Sequence, residues 1–330
     1  MTSEPATMTR SAEKPRKAAR LTIGLAIAGG VAVVLIWPFV VTDLFVQHLV
    51  TLLMLYSIGA MSVHLIVRCG HVSLGQAAFM GIAAYTSVLL VMKLHVPWIL
   101  AAGAGVLAAS VTGLIIGPII LRLAGKYFVL VTFMFGEIIR LVFVEWISLT
   151  GGANGVSDIP PPAQMFLSSL NYYYLVLAAA ILMIGLAVMI MRSQIGRTID
   201  AMREGELLAQ CVGVPTVRLK VIVYTIACGM IGVQGVLQAH FLRYIEPLTF
   251  GILDSLNLVV MNVIGGMTRL PGPILGAFFI VGLPELLRQY VLYQRVIFGI
   301  ILIVVMAFLP GGIAEVGARL YGVYRKRWSR

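Results

Sequence analysis

Two oppositely charged residues, Glu137 and Arg140, stand three apart inside the apolar stretch Tyr127–Ile147. On a helix that spacing puts both on one face, near enough to neutralise each other where water is scarce. Ionisable groups are costly in hydrocarbon, so such a pair either fixes the packing of its helix or touches a polar solute. His48, His64, Asp254 and Glu285 lie nearer the ends of apolar runs and read as interfacial or satisfied side chains. Hydrolytic chemistry finds little support. His-Glu-x-x-His and Gly-x-Ser-x-Gly are absent, and Gly125-Lys126 is followed by Tyr rather than Ser or Thr, so there is no phosphate loop. Cys69, Cys211 and Cys228 are odd in number and scattered, which makes them free thiols without a metal or redox motif. No cofactor and no metal are expected.

Two further segments can do mechanical rather than covalent work. In "GHVSLGQ", residues Gly70, Ser73, Gly75 and Gln76 can interrupt a helix beside a translocation path and turn backbone polar groups toward it. The default alternative is plain packing, because many of the 34 glycines, among them Gly113/Gly117, Gly229/Gly232/Gly235 and Gly265/Gly266, fall where helices approach closely. In "GRTIDAMREGELLAQCVGV" (Gly196–Val214), Ile199, Met202, Gly205, Leu208 or Ala209 and Val212 share one face at helical spacing. Asp200, Arg203, Glu204, Glu206 and Gln210 take the others. The expectation is one short amphipathic helix, Thr198–Val212, closed by Gly213 and Pro215. It either lies on a membrane surface or docks into a partner's groove; mixed charge signs and a central glycine suit docking, since surface-seeking helices carry a basic polar face.

The elements that position these residues are membrane helices. The chain is 60% hydrophobic and 11% charged, against about a quarter charged in a soluble domain. Ten runs approach the roughly 20 apolar residues that a span needs. They are Leu21–Val41, Leu44–Val67, Ser73–Met92, Trp98–Leu121, Tyr127–Ile147, Tyr172–Met191, Val221–Phe241, Leu253–Gly266, Ile274–Gln289 and Val296–Leu309. The eighth and ninth are short and flank the Gly/Pro-rich turn Gly265–Pro273, which suggests tilt or partial re-entry. The first is too long for a cleavable signal's apolar core of roughly 7–15 residues.

A net charge of +11 suggests nucleic acid until the basic residues are placed. With the N-terminus inside, all but Lys93, Arg140, Arg243, Arg288 and Arg295 of the 24 Lys and Arg fall on the cytoplasmic side, while Trp37, Trp98 and Trp146 mark outer span ends. Lipid, not nucleic acid, is therefore the expected neighbour. The fold class is all-α, a polytopic membrane helix bundle of about ten spans with both termini cytoplasmic. It comprises a basic tail (1–20), a transmembrane domain (21–310) with a cytoplasmic loop (192–220), and a second basic tail (311–330). The longer outer connection, Ser148–Asn171, contains "LTGGANGV" and Pro160–Pro162, a series of turns and extended backbone.

Glu206-Leu-Leu-Ala209-x-x-x-Gly213 resembles the "EAA" coupling loop of ABC importer permeases. More specifically, "GHVSLGQAAF" (Gly70–Phe79), "VTFMFGEIIRLV" (Val131–Val142), "LTGGANGV" (Leu149–Val156), the Gly196–Gly213 loop, "VIGGMTRLPGPILGA" (Val263–Ala277) and "LPELLR" (Leu283–Arg288) resemble the LivM-type permease subunit of branched-chain amino acid ABC transporters. The likeness runs from about residue 50 to 313; urea and other small-solute importers share these motifs. Two departures stand out: Pro310-Gly311-Gly312 where the family commonly has Pro-Arg-Gly, and Val214-Pro215 where a helical continuation is usual. The resemblance implies a bacterial inner (plasma) membrane protein. Its implied partners are a second permease subunit, two cytoplasmic ATP-binding subunits and a periplasmic or extracellular solute-binding protein. Thr198, Met202, Gly205, Glu206, Ala209 and Gly213 would couple to the ATPases. Gly70, Ser73, Gly75, Gln76, Glu137 and Arg140 would border the path. The alternative is a stand-alone secondary carrier or channel for a small polar solute, which needs neither the loop nor ATP.

Overall fold

The computed structural model describes Trp37 and residues 43–123, 125–162, 166, 168–290, 293–309 and 311–315. The expected first span and the tail before it lie outside the described residues apart from Trp37, as does most of 311–330. The chain divides into two compact units after His48, and all contacts below belong to the second.

Among the described residues the regular elements are helical. Those of six residues or more are α1 (Leu44–Arg68), α2 (Gln76–Leu94), α3 (Trp98–Ile120), α4 (Lys126–Glu145), α5 (Ser169–Arg192), α6 (Gln194–Glu204), α7 (Glu206–Cys211), α8 (Thr216–Leu242), α9 (Ile252–Gly265), α10 (Gly272–Leu286) and α11 (Gln294–Phe308). Nine of the ten expected spans thus coincide with helices. Six of them, α1 to α5 and α8, are long and apolar enough to cross a membrane. At 14 or 15 residues, α9, α10 and α11 are only about 21–23 Å long, short of a roughly 30 Å hydrocarbon core.

Which helices are central follows from what their faces carry. α8 is apolar on most sides and still buries Gln234, Gln238 and His240, because protein rather than lipid surrounds it. α2 and α3 pack on α8 and on each other. On α3 the buried residues short of its last position, Ile120, are Ala101, Gly105, Ala109, Gly113 and Gly117, one small residue every four. Leu107, Val111, Leu114, Ile115 and Ile119 on its other side are exposed. This is the small-residue seam of membrane helix packing, where close backbones replace the hydrophobic drive that lipid removes. The approach is closest at Gly235 of α8, where a Cβ would fall on the Met80 carbonyl of α2.

α9 and α10 form a hairpin held the same way: a Cβ on Gly276 would fall on the Met261 carbonyl, and one on Gly265 on the Gly272 carbonyl. Polar side chains stitch this hairpin to α1 and α2. His64 Nδ1–H donates to Asn262 Oδ1 at 3.1 Å, and Asn262 Nδ2 donates to the Ala60 and Leu258 carbonyls. Ser255 Oγ accepts from Ala77 N–H, one of the donors that the first turn of α2 leaves without an intrahelical partner.

Candidate coupling and translocation site

The loop expected to hold one amphipathic helix holds two. α6 ends at Glu204, the chain turns extended at Gly205 (φ −166°, ψ 90°), and α7 begins at Glu206. Glycine costs about 1 kcal/mol in a helix interior. Here it is the hinge around which Glu206 swings onto Lys220 of α8, a lysine that is only 4% exposed. The expected single apolar face is split accordingly. Ile199 and Met202 are buried, whereas Leu207, Leu208 and Val212 are 77%, 74% and 81% exposed. Thr198 Oγ1 donates to the Gln194 carbonyl within α6.

The end of α7 explains two of the expected coupling residues. Val214 N–H donates to the Ala209 carbonyl and Gly213 N–H to the Gln210 carbonyl, with Gly213 at φ +83°. These are the paired bonds of a Schellman C-cap, which needs a residue tolerant of positive φ at Gly213. Gln210 Nε2 also donates to Thr216 Oγ1, tying α7 to the start of α8. The motif from Glu206 to Gly213 therefore reads as a short helix with a buried charge anchor at one end and a tight stop at the other.

Arg68, at the end of α1, joins three segments far apart in sequence. Its Nε and Nη2 donate to the two Asp200 carboxylate oxygens on α6, the first at 2.9 Å, and Nη1 donates to the Thr268 carbonyl in the α9–α10 turn at 3.2 Å. Sequence reading counted Arg68 and Lys220 as topology markers and missed this role. An acid of opposite sign in the same loop was the only signal.

The loop Cys69–Gly75 lies between this clamp and α4. Its Cys69 and His71 both feel the Lys220 charge, Cys69 also Arg68 and Asp200, and His71 also Glu206. Burial, then Lys220, holds the His71 imidazole below its usual pKa, so it is neutral at pH 7. On the other side His71 sits edge-on to Phe128 of α4, ring centroids 4.6 Å apart. Leu74 N–H donates to Thr132 Oγ1, and Gly136 faces Gly75 so closely that a Cβ there would stand 3.5 Å from the Gly75 Cα. Gly75 is itself pressed on the Thr132 carbonyl; Gly70 is exposed at φ +83°. Ser73 and Gln76 are fully buried. Glu137, next to Gly136, accepts from Arg140 Nε at 2.8 Å, forming the expected pair. Packed helices thus run from α7 to α8, from α8 to α2 and from α2 to α4, and the Lys220 charge acts on the Cys69–Gly75 loop beside them.

At the other end of these helices the connections expected on the outer side meet. Val156 and Ile245 exchange backbone hydrogen bonds, Lys93 Nζ donates to the Ser148 carbonyl, and His240 Nδ1–H donates to the Pro160 carbonyl at 2.9 Å. Gly155 permits the Val156 pairing, since a Cβ there would fall on the Ile245 carbonyl. The segments assigned to opposite sides by charge therefore cluster at opposite ends.

The cysteines offer a direct check. Burial pushes the Cys69 thiol up to about 12, Cys228 is also buried, and Cys211 at the end of α7 is exposed. A raised thiol pKa leaves almost no thiolate at neutral pH. Maleimide applied at pH 7 to the folded subunit is expected to modify Cys211 alone, read by peptide mass; early labelling at Cys69 would contradict the packing of its loop.

Apolar helices long enough to span a membrane and packed through small residues define the class as a multi-pass membrane protein. The family model described as branched-chain amino acid transport system / permease component matches residues 45–306, and the chain belongs to that family. The high-affinity branched-chain amino acid transport system permease protein LivM of Escherichia coli K12 is 30% identical over 305 residues, covering 84% of this chain and 71% of that protein. LivM of Salmonella typhimurium is 28% identical with the same coverage. The permease protein LivH of Salmonella typhimurium is 26% identical over 252 residues, covering 72% of this chain and 80% of its own. No solved structure matches. As the permease component of a transport system, the chain is not itself an enzyme.

Proposed function

We propose that this chain is one of two permease subunits of an ABC importer in a bacterial inner membrane, moving a branched-chain or related amino acid inward. A periplasmic or extracellular solute-binding protein delivers the solute, and two cytoplasmic ATP-binding subunits drive the cycle. The chain crosses the membrane about ten times, with both termini and the α6–α7 loop in the cytoplasm. The names of its relatives support the solute class, and the placement of Lys and Arg supports the orientation.

The observation that carries the reading is the unbroken contact route from α7 to α4. Three large apolar side chains, Leu207 and Leu208 on α7 and Val212 just after it, stand exposed outside the spans, as a knob for a partner's groove requires. Behind the knob, Glu206–Lys220 and Arg68–Asp200 fasten the loop to α8, α1 and the α9–α10 turn. Closure of the ATPases would move α7, and these fastenings would pass the motion to the helices bordering Gly75 and Glu137.

The test is Gly205→Leu. A Cβ there meets only the exposed Leu208 side chain, nearest at Cδ1 (3.1 Å), so the subunit is expected to fold. Solute-stimulated ATPase activity of the assembled complex is expected to fall at least about tenfold, the effect of losing one well-packed interface contact. Intact stimulated activity would sink the coupling role of α6–α7. Co-purification from the native host is expected to recover a second permease and nucleotide-binding subunits, lost when Glu206 and Gly213 are altered. Recovery of the chain alone, with transport retained in ATP-free liposomes, would put a secondary carrier in its place.

A further inference from the structure

We infer that Glu137 and Arg140 form a recognition element for the zwitterionic head of the solute, Glu137 taking an ammonium and Arg140 a carboxylate. This rests on the reading of the chain as an amino acid permease and assigns that solute its contact within the spans.

Four ion pairs are present among the described residues. Arg68 ends α1, Lys220 lies near the start of α8, and Glu285 and Arg288 close α10. Glu137–Arg140 alone stands well inside a spanning helix, about 17 Å along α4 from Lys126. The pair is incompletely used. A single bond joins Arg140 Nε to Glu137 Oε2, and among the described residues no further bond is formed by the two terminal nitrogens of Arg140 or by Glu137 Oε1. Those two nitrogens form the edge of a guanidinium that grips a carboxylate with two parallel bonds. The side chains are 23% and 25% exposed, too open for a sealed structural pair and too polar to face lipid.

Their surroundings fit a solute with an apolar tail. Met134, Ile138 and Leu141, one helical turn or less away, are exposed. The stripe that Arg140 continues, Thr132 and Gly136 at four-residue spacing, packs on the Leu74–Gly75 backbone. Arg140 also borders Gly251, ahead of α9. An α-amino acid brings one positive and one negative group of its own. It can replace the internal bond by two external ones without leaving either protein charge unpaired, which a low-dielectric site requires. A solute with one charge or none cannot make that exchange.

The complete transporter, reconstituted with its binding protein and ATP, is assayed for leucine uptake and for basal ATPase activity. The double variant Glu137→Gln with Arg140→Gln keeps both side chains polar but removes both charges. The inference expects normal assembly and basal ATPase, with uptake at least about tenfold lower, as loss of a charge-assisted bond implies. A purely structural pair predicts uptake within about twofold of wild type in the same variant, and that result overturns the inference. If the double variant fails to assemble, Glu137→Asp with Arg140→Lys decides: a shifted KM for leucine with basal ATPase unchanged supports recognition, and an unchanged KM overturns it. A wild-type complex that binds its partners yet carries no amino acid overturns the reading of the solute itself, a failure distinct from that of the variants.

Discussion

Gly235→Leu is expected to eliminate the folded subunit. A Cβ at this position would fall on the Met80 carbonyl, which is backbone of a neighbouring helix and cannot rotate aside. Forcing α2 and α8 apart also opens the seams that α3 makes with both. Overpacking a core costs roughly 1–3 kcal/mol where side chains can yield, and more where backbone must move. Against a total stability of about 5–15 kcal/mol, the variant is expected to lose its monodisperse peak in size-exclusion chromatography of detergent extracts. Gly185→Leu is the control, since Gly185 of α5 has open space where its Cβ would stand and should leave the profile unchanged. Equal behaviour of the two would show that the α2–α8 contact is not as close as described.

Arg68→Ala is expected to uncouple rather than unfold. The guanidinium makes two bonds to Asp200 and one to Thr268, so its loss frees α6 from α1 and from the α9–α10 turn together. Charge-assisted bonds are worth about 1.5–3 kcal/mol each, less here because Asp200 is nearly half exposed. The spans themselves are held elsewhere, by the α2–α3–α8 seams and the His64–Asn262 bond. In the reconstituted complex, transport should fall about tenfold while ATP hydrolysis persists, raising the ATP consumed per solute moved. Asp200→Asn should act in the same direction but more weakly, because an amide oxygen still accepts. Unaltered transport in Arg68→Ala would show that the clamp transmits nothing.

The helices were legible because run length and charged borders are strong signals in a membrane chain, and nine expected spans coincide with helices. The pair Glu137–Arg140 was legible because its partners are three residues apart on one helix. The clamps were not. Arg68 and Asp200 are 132 residues apart, and no local pattern links them. The break at Gly205 was hidden because Ile199, Met202 and Leu208 satisfy a helical period straight through it. What bends the chain is a buried lysine beyond the loop. Nor does hydropathy separate a face turned to lipid from one turned to protein, as the equally apolar but differently buried α1 and α4 illustrate.

The four-residue spacing on α3 gives that helix two different tolerances for change. On the stripe of Ala101, Gly105, Ala109, Gly113 and Gly117, a Cβ at Gly105 would fall on the Ala83 carbonyl and one at Gly113 on the Cys228 side chain, so not even alanine fits at those two positions without a shift. Across the axis, Leu107, Val111 and Ile115 need only stay apolar. Sequence drift in this helix is therefore confined to one side. A pair of such permeases can diverge until little but that stripe is shared, while the backbone path of α3 stays where it is.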